Sequence, residues 1–247
     1  MPGWTALLPA YLAALAGAFL GLPQAVLRSA DPAATPVATP TPVPGEVRVA
    51  VTVVGPDRKT VPGKDSAVWI PGSPRPAGSP PPVPRIASKG KRFEPRVTVV
   101  PVGTTVDFPN LDRIYHNAFS LSEGATFDLG LYRNGASKPF TFQKPGVVRL
   151  YCNIHPQMAA FIVVADGGVT ALAGAGGIAV LPGVPPGRHP LHVWDERGGE
   201  WSGTVEVLPG QVSTVPVRLD ASAYRELPHK NKHGKDYPPP EDDENRY

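Results

Sequence analysis

The sequence predicts an all-β protein, an antiparallel sandwich or barrel, on three observations. Apolar residues recur at every second position in short runs, most runs are bounded by Gly, Pro or Asn, and no helical period is long enough for a βαβ unit. The composition agrees, because 26 Gly and 33 Pro in 247 residues punctuate a chain into short strands and disfavour long helices. With 41% hydrophobic and 18% charged residues the chain can bury a core. The net charge of +3 arises from basic residues scattered among acidic ones, with no basic stripe interleaved with aromatics. Nucleic acid is therefore not an expected partner.

Taken in order, Trp4 to Val26 is apolar and uncharged and is followed by Arg28-Ser29-Ala30, where Ala30 suits a cleavage site. Residues 1–30 are expected to be a signal peptide or an uncleaved membrane anchor: the run approaches the ~20 residues that span a bilayer, and no Lys or Arg precedes it. Either way the protein is exported, periplasmic or extracellular, and in the second case membrane-associated through this segment. Residues 31–44 repeat Ala, Thr and Pro and read as an extended spacer.

Strands are expected at Val47–Val53 and Ala67–Ile70, within the region 45–71, and Gly72–Pro84 is a Pro-rich crossing. A self-sufficient small sandwich over 84–166 carries strands at Val97–Val102, Thr105–Phe108, Val147–Tyr151 and Ala160–Val164. The region 167–220 has strands at Pro190–Trp194, Thr204–Leu208 and Ser213–Leu219. About 50 residues with few strands are marginal alone. The expectation is therefore that 45–71 pairs with 169–220 and that the 84–166 sandwich is inserted between them; simple tandem order is the rival. Residues 221–247 hold almost no aliphatic side chains and are expected to form a disordered charged tail, with His229 and His233 solvated.

The stretch Tyr151-Cys152-Asn153-Ile154-His155-Pro156-Gln157-Met158 contains the one Cys of the chain and its one Met besides the initiator. With six His and two Met in 247 positions, meeting both at fixed offsets from Cys152 has a chance of roughly 2 in 10,000 from composition alone. A lone Cys is ordinarily a small buried hydrophobe, but an unpaired thiol is unusual in an oxidising compartment. One thiolate, two imidazoles and a weak axial thioether form the donor set of an electron-transfer copper site. Three such donors in seven residues come from one tight loop, so the fourth must arrive from a distant strand end. His116, beyond the strand Thr105–Phe108 and the turn Pro109-Asn110-Leu111-Asp112, fits that role. Metal ligands are thus expected at His116, Cys152, His155 and Met158. Around them, Asn117 is placed to tie the two ligand loops together, Pro156 removes a backbone donor beside the sulfur, and Tyr151 is either core packing or an electron conduit.

Phe93-Glu94-Pro95, Gly103-Thr104-Thr105-Val106-Asp107-Phe108, His116-Asn117, Pro145-Gly146 and Cys152 to Met158 resemble a cupredoxin of the plastocyanin and amicyanin group. The short ligand loop with His155-Pro156 is most similar to that of amicyanin. The resemblance covers about Pro84 to Ala165 and implies a Greek-key β-sandwich, one mononuclear type 1 copper per chain, and outer-sphere electron transfer with redox protein partners. The flanking segments together resemble a transthyretin-like domain of the carboxypeptidase regulatory type. The longer Asn110–His116 segment and the second β-domain depart from the cupredoxin pattern and leave the donor and acceptor open.

No enzyme is expected, and no catalytic residue is assigned. Paired carboxylates, a nucleophile elbow and a vacant ligand position are missing, and six His cannot build an oxygen-reducing multicopper cluster. A copper carrier or store, or a structural β-module with a stabilising copper, are the alternatives to an exported blue-copper electron carrier. Partner docking is expected beside His155, at Pro156 and Ala159-Ala160-Phe161.

Overall fold

The computed structural model describes residues 42–73, 83–226 and 228–237. The expected export segment, most of the spacer and most of the Pro-rich crossing lie outside the described residues. Every regular element among those described is a β-strand. The chain opens with β1 (Gly45–Val54), β2 (Thr60–Pro62) and β3 (Ala67–Ile70). Its middle supplies β4 (Ala87–Ser88), β5 (Phe93–Glu94), β6 (Val97–Pro101), β7 (Thr105–Pro109), β8 (His116–Ser122), β9 (Ala125–Tyr132), β10 (Ser137–Thr141), β11 (Gly146–Tyr151) and β12 (Ala159–Ala165). It continues with β13 (Val169–Leu172), β14 (Ile178–Val184), β15 (Gly187–Asp195), β16 (Gly199–Val207) and β17 (Val212–Asp220).

Alternation decides which way each strand faces. In β1, Val47, Val49, Val51 and Val53 are at most 1% exposed, and burying each stabilises by about 2 kcal/mol. Their partners come from the far end of the chain: β1 lies between β14 and β17, with β2 also paired to it. The facing sheet runs β13-β3-β15-β16. Val68 and Ile70 from β3, Leu191 and Val193 from β15 and Leu219 from β17 complete this core. Segments 45–71 and 169–220 thus share both sheets.

The middle of the chain forms a five-stranded sheet, β6-β12-β11-β8-β9, with β7–β10 and β4–β5 as smaller pairs. Ile86, Phe108, Phe119, Phe142, Leu150 and Ile162 are fully buried, and all but Phe119 belong to one cluster that also holds Cys152 and Met158. Strand β12 uses both faces. Ala160, Ile162 and Val164 point into that cluster, while Phe161 and Val163 join Val97, Val99 and Val147 against Ala67, Trp69 and Trp194 of the β13-β3-β15-β16 sheet. A strand buried on both sides reads as a continuous apolar run, which is the pattern of Ala159–Ala165.

The chain leaves β12 for β13 through Gly167 and Gly168. Gly168 has φ +86°, and a Cβ there would collide with the Ile70 carbonyl. Only glycine brings the returning chain this close to β3.

Within the segment expected to be a disordered charged tail, residues 221–226 and 228–237 contain no regular element and make specific contacts. Tyr224 Oη donates to Glu196 at 3.3 Å, the Lys232 N–H donates to Asn153 at 3.0 Å, and Tyr237 Oη donates to the Cys152 carbonyl at 2.7 Å. Ala221 and Tyr224 pack on the core of the outer sandwich, and polar bonds to specific partners hold the rest; composition does not reveal those bonds.

Candidate metal centre

His116 opens β8, and the turn before it is held by its own side chains. Asn110 is fully buried; its Nδ2 donates to the carbonyls of Ile114 at 2.8 Å and Tyr132 at 3.0 Å, and its Oδ1 accepts the Asp112 N–H at 2.9 Å. This Asx turn aims Asp112 at His116. The Asp112 carboxylate accepts the N–H groups of Gly90 at 2.7 Å and Lys91 at 2.9 Å, and lies 2.8 Å from His116 Nε2. Those donors and the histidine hold its pKa below the ordinary carboxylate value despite burial. A carboxylate at Nε2 makes that nitrogen the N–H donor, so the lone pair is on Nδ1. His116 Nδ1 is buried and has no hydrogen-bond partner among the described residues.

Cys152 follows β11, and its loop is tight: the Cys152 N–H donates to the Met158 carbonyl at 3.3 Å and the Met158 N–H to the His155 carbonyl at 3.1 Å. This closure folds His155 Nδ1 back to 3.6 Å from Cys152 Sγ. The rings of His116 and His155 are 4.8 Å apart. Burial pushes the Cys152 thiol up, opposed by the backbone N–H groups of Ile154, Asn117 and His155. Burial, then the neighbouring His116 and Lys91, push His155 down to about 4. Burial also lowers His116, against the pull of Asp112. At neutral pH both imidazoles are therefore uncharged and able to donate a lone pair.

The donor atoms of His116, Cys152 and His155 all lie within 4.8 Å of one another. Two ligands on one ion, with bonds of ~2.0 and ~2.3 Å at tetrahedral to trigonal angles, stand about 3.5 to 3.7 Å apart, in line with the Cys152–His155 separation of 3.6 Å. An unpaired buried nitrogen costs about 1 to 3 kcal/mol; a cation among these three donors would satisfy it. Met158 is fully buried and shares the core cluster of Cys152. The residues present fit a thiolate- and imidazole-binding ion.

The supporting residues are placed as follows. Asn117, 1% exposed, accepts the Asn153 N–H at 3.2 Å on Oδ1, so its amide does join the two ligand segments. Pro156 is exposed and offers no N–H. Tyr151 is half-buried and stacks on His229 with ring centres 4.0 Å apart. The Ala159–Phe161 stretch is not a free surface: Ala160 is fully buried, and Phe161 packs 5.3 Å from Trp194 beneath Arg96. The exposed apolar side chains of the turn before His116 are Leu111 and Tyr115.

Sequence reasoning missed Asp112 and the tail residues Lys232 and Tyr237. A carboxylate four residues before a ligand histidine was the available signal for the first; nothing local marks the other two.

No family model and no curated protein matches this chain. Among solved structures, a Cu-containing nitrite reductase from Thermus scotoductus SA-01 is 30% identical over 38% of this chain and 25% of its own, with a TM-score of 0.34. This chain thus spans a quarter of that protein's length. A purple cupredoxin from Nitrosopumilus maritimus is 26% identical over 33% of this chain and 99% of its own, TM-score 0.30. An amicyanin variant in its reduced Cu(I) form is 21% identical over 40% of this chain and 98% of its own, TM-score 0.33. The structural neighbours are cupredoxins at low coverage. They include an enzyme, the nitrite reductase, as well as a purple cupredoxin and amicyanin.

Proposed function

We propose that this chain is an exported single-electron carrier with one copper ion held by His116, Cys152, His155 and Met158. The observation that carries the reading is the buried Nδ1 of His116, without a hydrogen-bond partner among the described residues, on a side chain whose donor atom clusters with those of Cys152 and His155. When bound, copper in such a set supplies a one-electron couple, because sulfur suits Cu(I) and nitrogen suits Cu(II).

The protein's own residues keep the donors in place. Asp112 fixes the tautomer and orientation of His116. Asn117 joins the ligand loop to β8, and the Cys152–Met158 backbone bond closes that loop. Burial of both imidazoles and the thiol keeps water away, which favours transfer without substrate binding. Donor and acceptor are redox proteins, and Leu111 and Tyr115 beside His116 supply exposed apolar area for docking. In this reading 45–71 and 169–220 form one sandwich that carries the copper sandwich as an insertion, and 1–30 directs export or anchors the chain.

The visible spectrum of the Cu(II)-loaded chain, beside a Cys152→Ala variant, tests the proposal. An intense copper–thiolate band that vanishes with Cys152 supports it. Copper bound without that band favours a carrier or store, and absence of binding favours a structural module.

A further inference from the structure

Four residues from four separate elements close a ring next to the ligands. Asn117 Oδ1 accepts the Asn153 N–H at 3.2 Å, and Asn117 Nδ2 donates to Asp128 Oδ1 at 2.6 Å. Asp128 Oδ2 accepts from Lys232 Nζ at 2.6 Å, and the Lys232 N–H returns to Asn153 Oδ1 at 3.0 Å. Asn117 adjoins His116 and Asn153 adjoins Cys152, so the ring spans both ligand segments. Farther along the same segment, Tyr237 Oη donates to the Cys152 carbonyl at 2.7 Å. His229 lies between two tyrosines, stacked on Tyr151 at 4.0 Å and edge-on to Tyr237 at 5.3 Å. The segment also shapes itself: Asn231 Oδ1 accepts the N–H groups of His233 at 2.9 Å and Lys235 at 3.1 Å.

We infer that residues 228–237 clamp the ligand loop, with Lys232 and Tyr237 as positioning residues that fix Asn153 and the Cys152 carbonyl. The inference rests on the copper reading above. A second layer of bonds that orients ligands governs metal affinity, typically by 10- to 100-fold. It also limits how far the ligands move when the oxidation state changes. No residue of 228–237 belongs to a core cluster, so loss of the clamp leaves the sandwich intact.

The test uses the full chain carrying Lys232→Met with Tyr237→Phe, and Lys232→Arg as the conservative partner. Three quantities are read: the copper–thiolate absorption, the rate of copper release to a chelator, and amide exchange at Asn153 in the copper-free protein. The double variant is expected to stay coloured, release copper about tenfold faster and exchange the Asn153 amide faster, with Lys232→Arg close to the unaltered chain. Equal release rates and equal Asn153 exchange in all three proteins overturn the clamp alone. Absence of the thiolate band from the unaltered chain overturns the copper reading and the clamp with it.

Discussion

Asp112 grips one nitrogen of the His116 ring and leaves the other unbonded: its Oδ2 is 2.8 Å from Nε2, while Nδ1 of the same ring is buried and has no hydrogen-bond partner among the described residues. One hydrogen bond therefore decides which imidazole nitrogen keeps a lone pair. Replacing Asp112 by Asn weakens the acceptor and offers an N–H in its place. Copper affinity of Asp112→Asn is expected to fall 10- to 100-fold with the thiolate band still reached at saturating copper. A competitive chelator titration measures it, and unchanged affinity would show that His116 orients itself.

The copper-free protein should lose stability on acidification, with the sign set by the histidines. His155 has a folded value of about 4 against an ordinary 6.5, so between those pH values the unfolded chain binds the extra proton. Stability contributed by keeping His155 neutral is complete above about pH 6.5 and lost as pH falls toward 4. That gap corresponds to about 3 kcal/mol; His116, also lowered, acts in the same direction. Urea midpoints of the copper-free protein between pH 7 and 4 read the slope. A His155→Phe variant with the same slope would remove His155 as its cause.

Reduction potential should respond to Pro156. The N–H groups of Ile154, Asn117 and His155 already act on the Cys152 sulfur, and Pro156 offers none. An added N–H that reaches the sulfur draws electron density from it and favours the reduced state. Pro156→Ala is expected to raise the potential, read by voltammetry; a fall or no change would mean that position 156 does not face the sulfur.

Gly168→Ala should be costly, because positive φ and the Ile70 carbonyl both oppose a Cβ. A loss of at least ~2 kcal/mol is expected, against about 1 kcal/mol at Gly72, where φ is +67° but the space is open. Thermal melts of the two variants compare them directly.

Cys152, His155 and Met158 are legible in sequence because one loop carries them, and His116 because strand ends are where such a loop finds its partner. The alternating valines of β1 and β17 are equally plain. Strands β8, β9 and β14 are harder. Gly130 interrupts β9, and β8 buries five consecutive residues, His116 to Ser120, so neither shows a clean period of two. The tail is illegible for another reason. Its hold depends on where Asn153 and Asp128 stand in three dimensions, while the order of its residues describes only a polar segment.

The parallel pairing of β1 with β17 sets the order of assembly. Thr52 hydrogen-bonds to Val217, 165 residues along the chain, and nine residues of β1 are in register with β17. Contacts this remote are slow to close, but the intervening middle sandwich brings its two ends together once folded. The middle sandwich should therefore form first and act as the template on which the outer sheets close. During synthesis the edge of β1 that takes β17 waits unpaired until that last described strand emerges, which makes 45–54 the segment most exposed to aggregation in an unfinished chain.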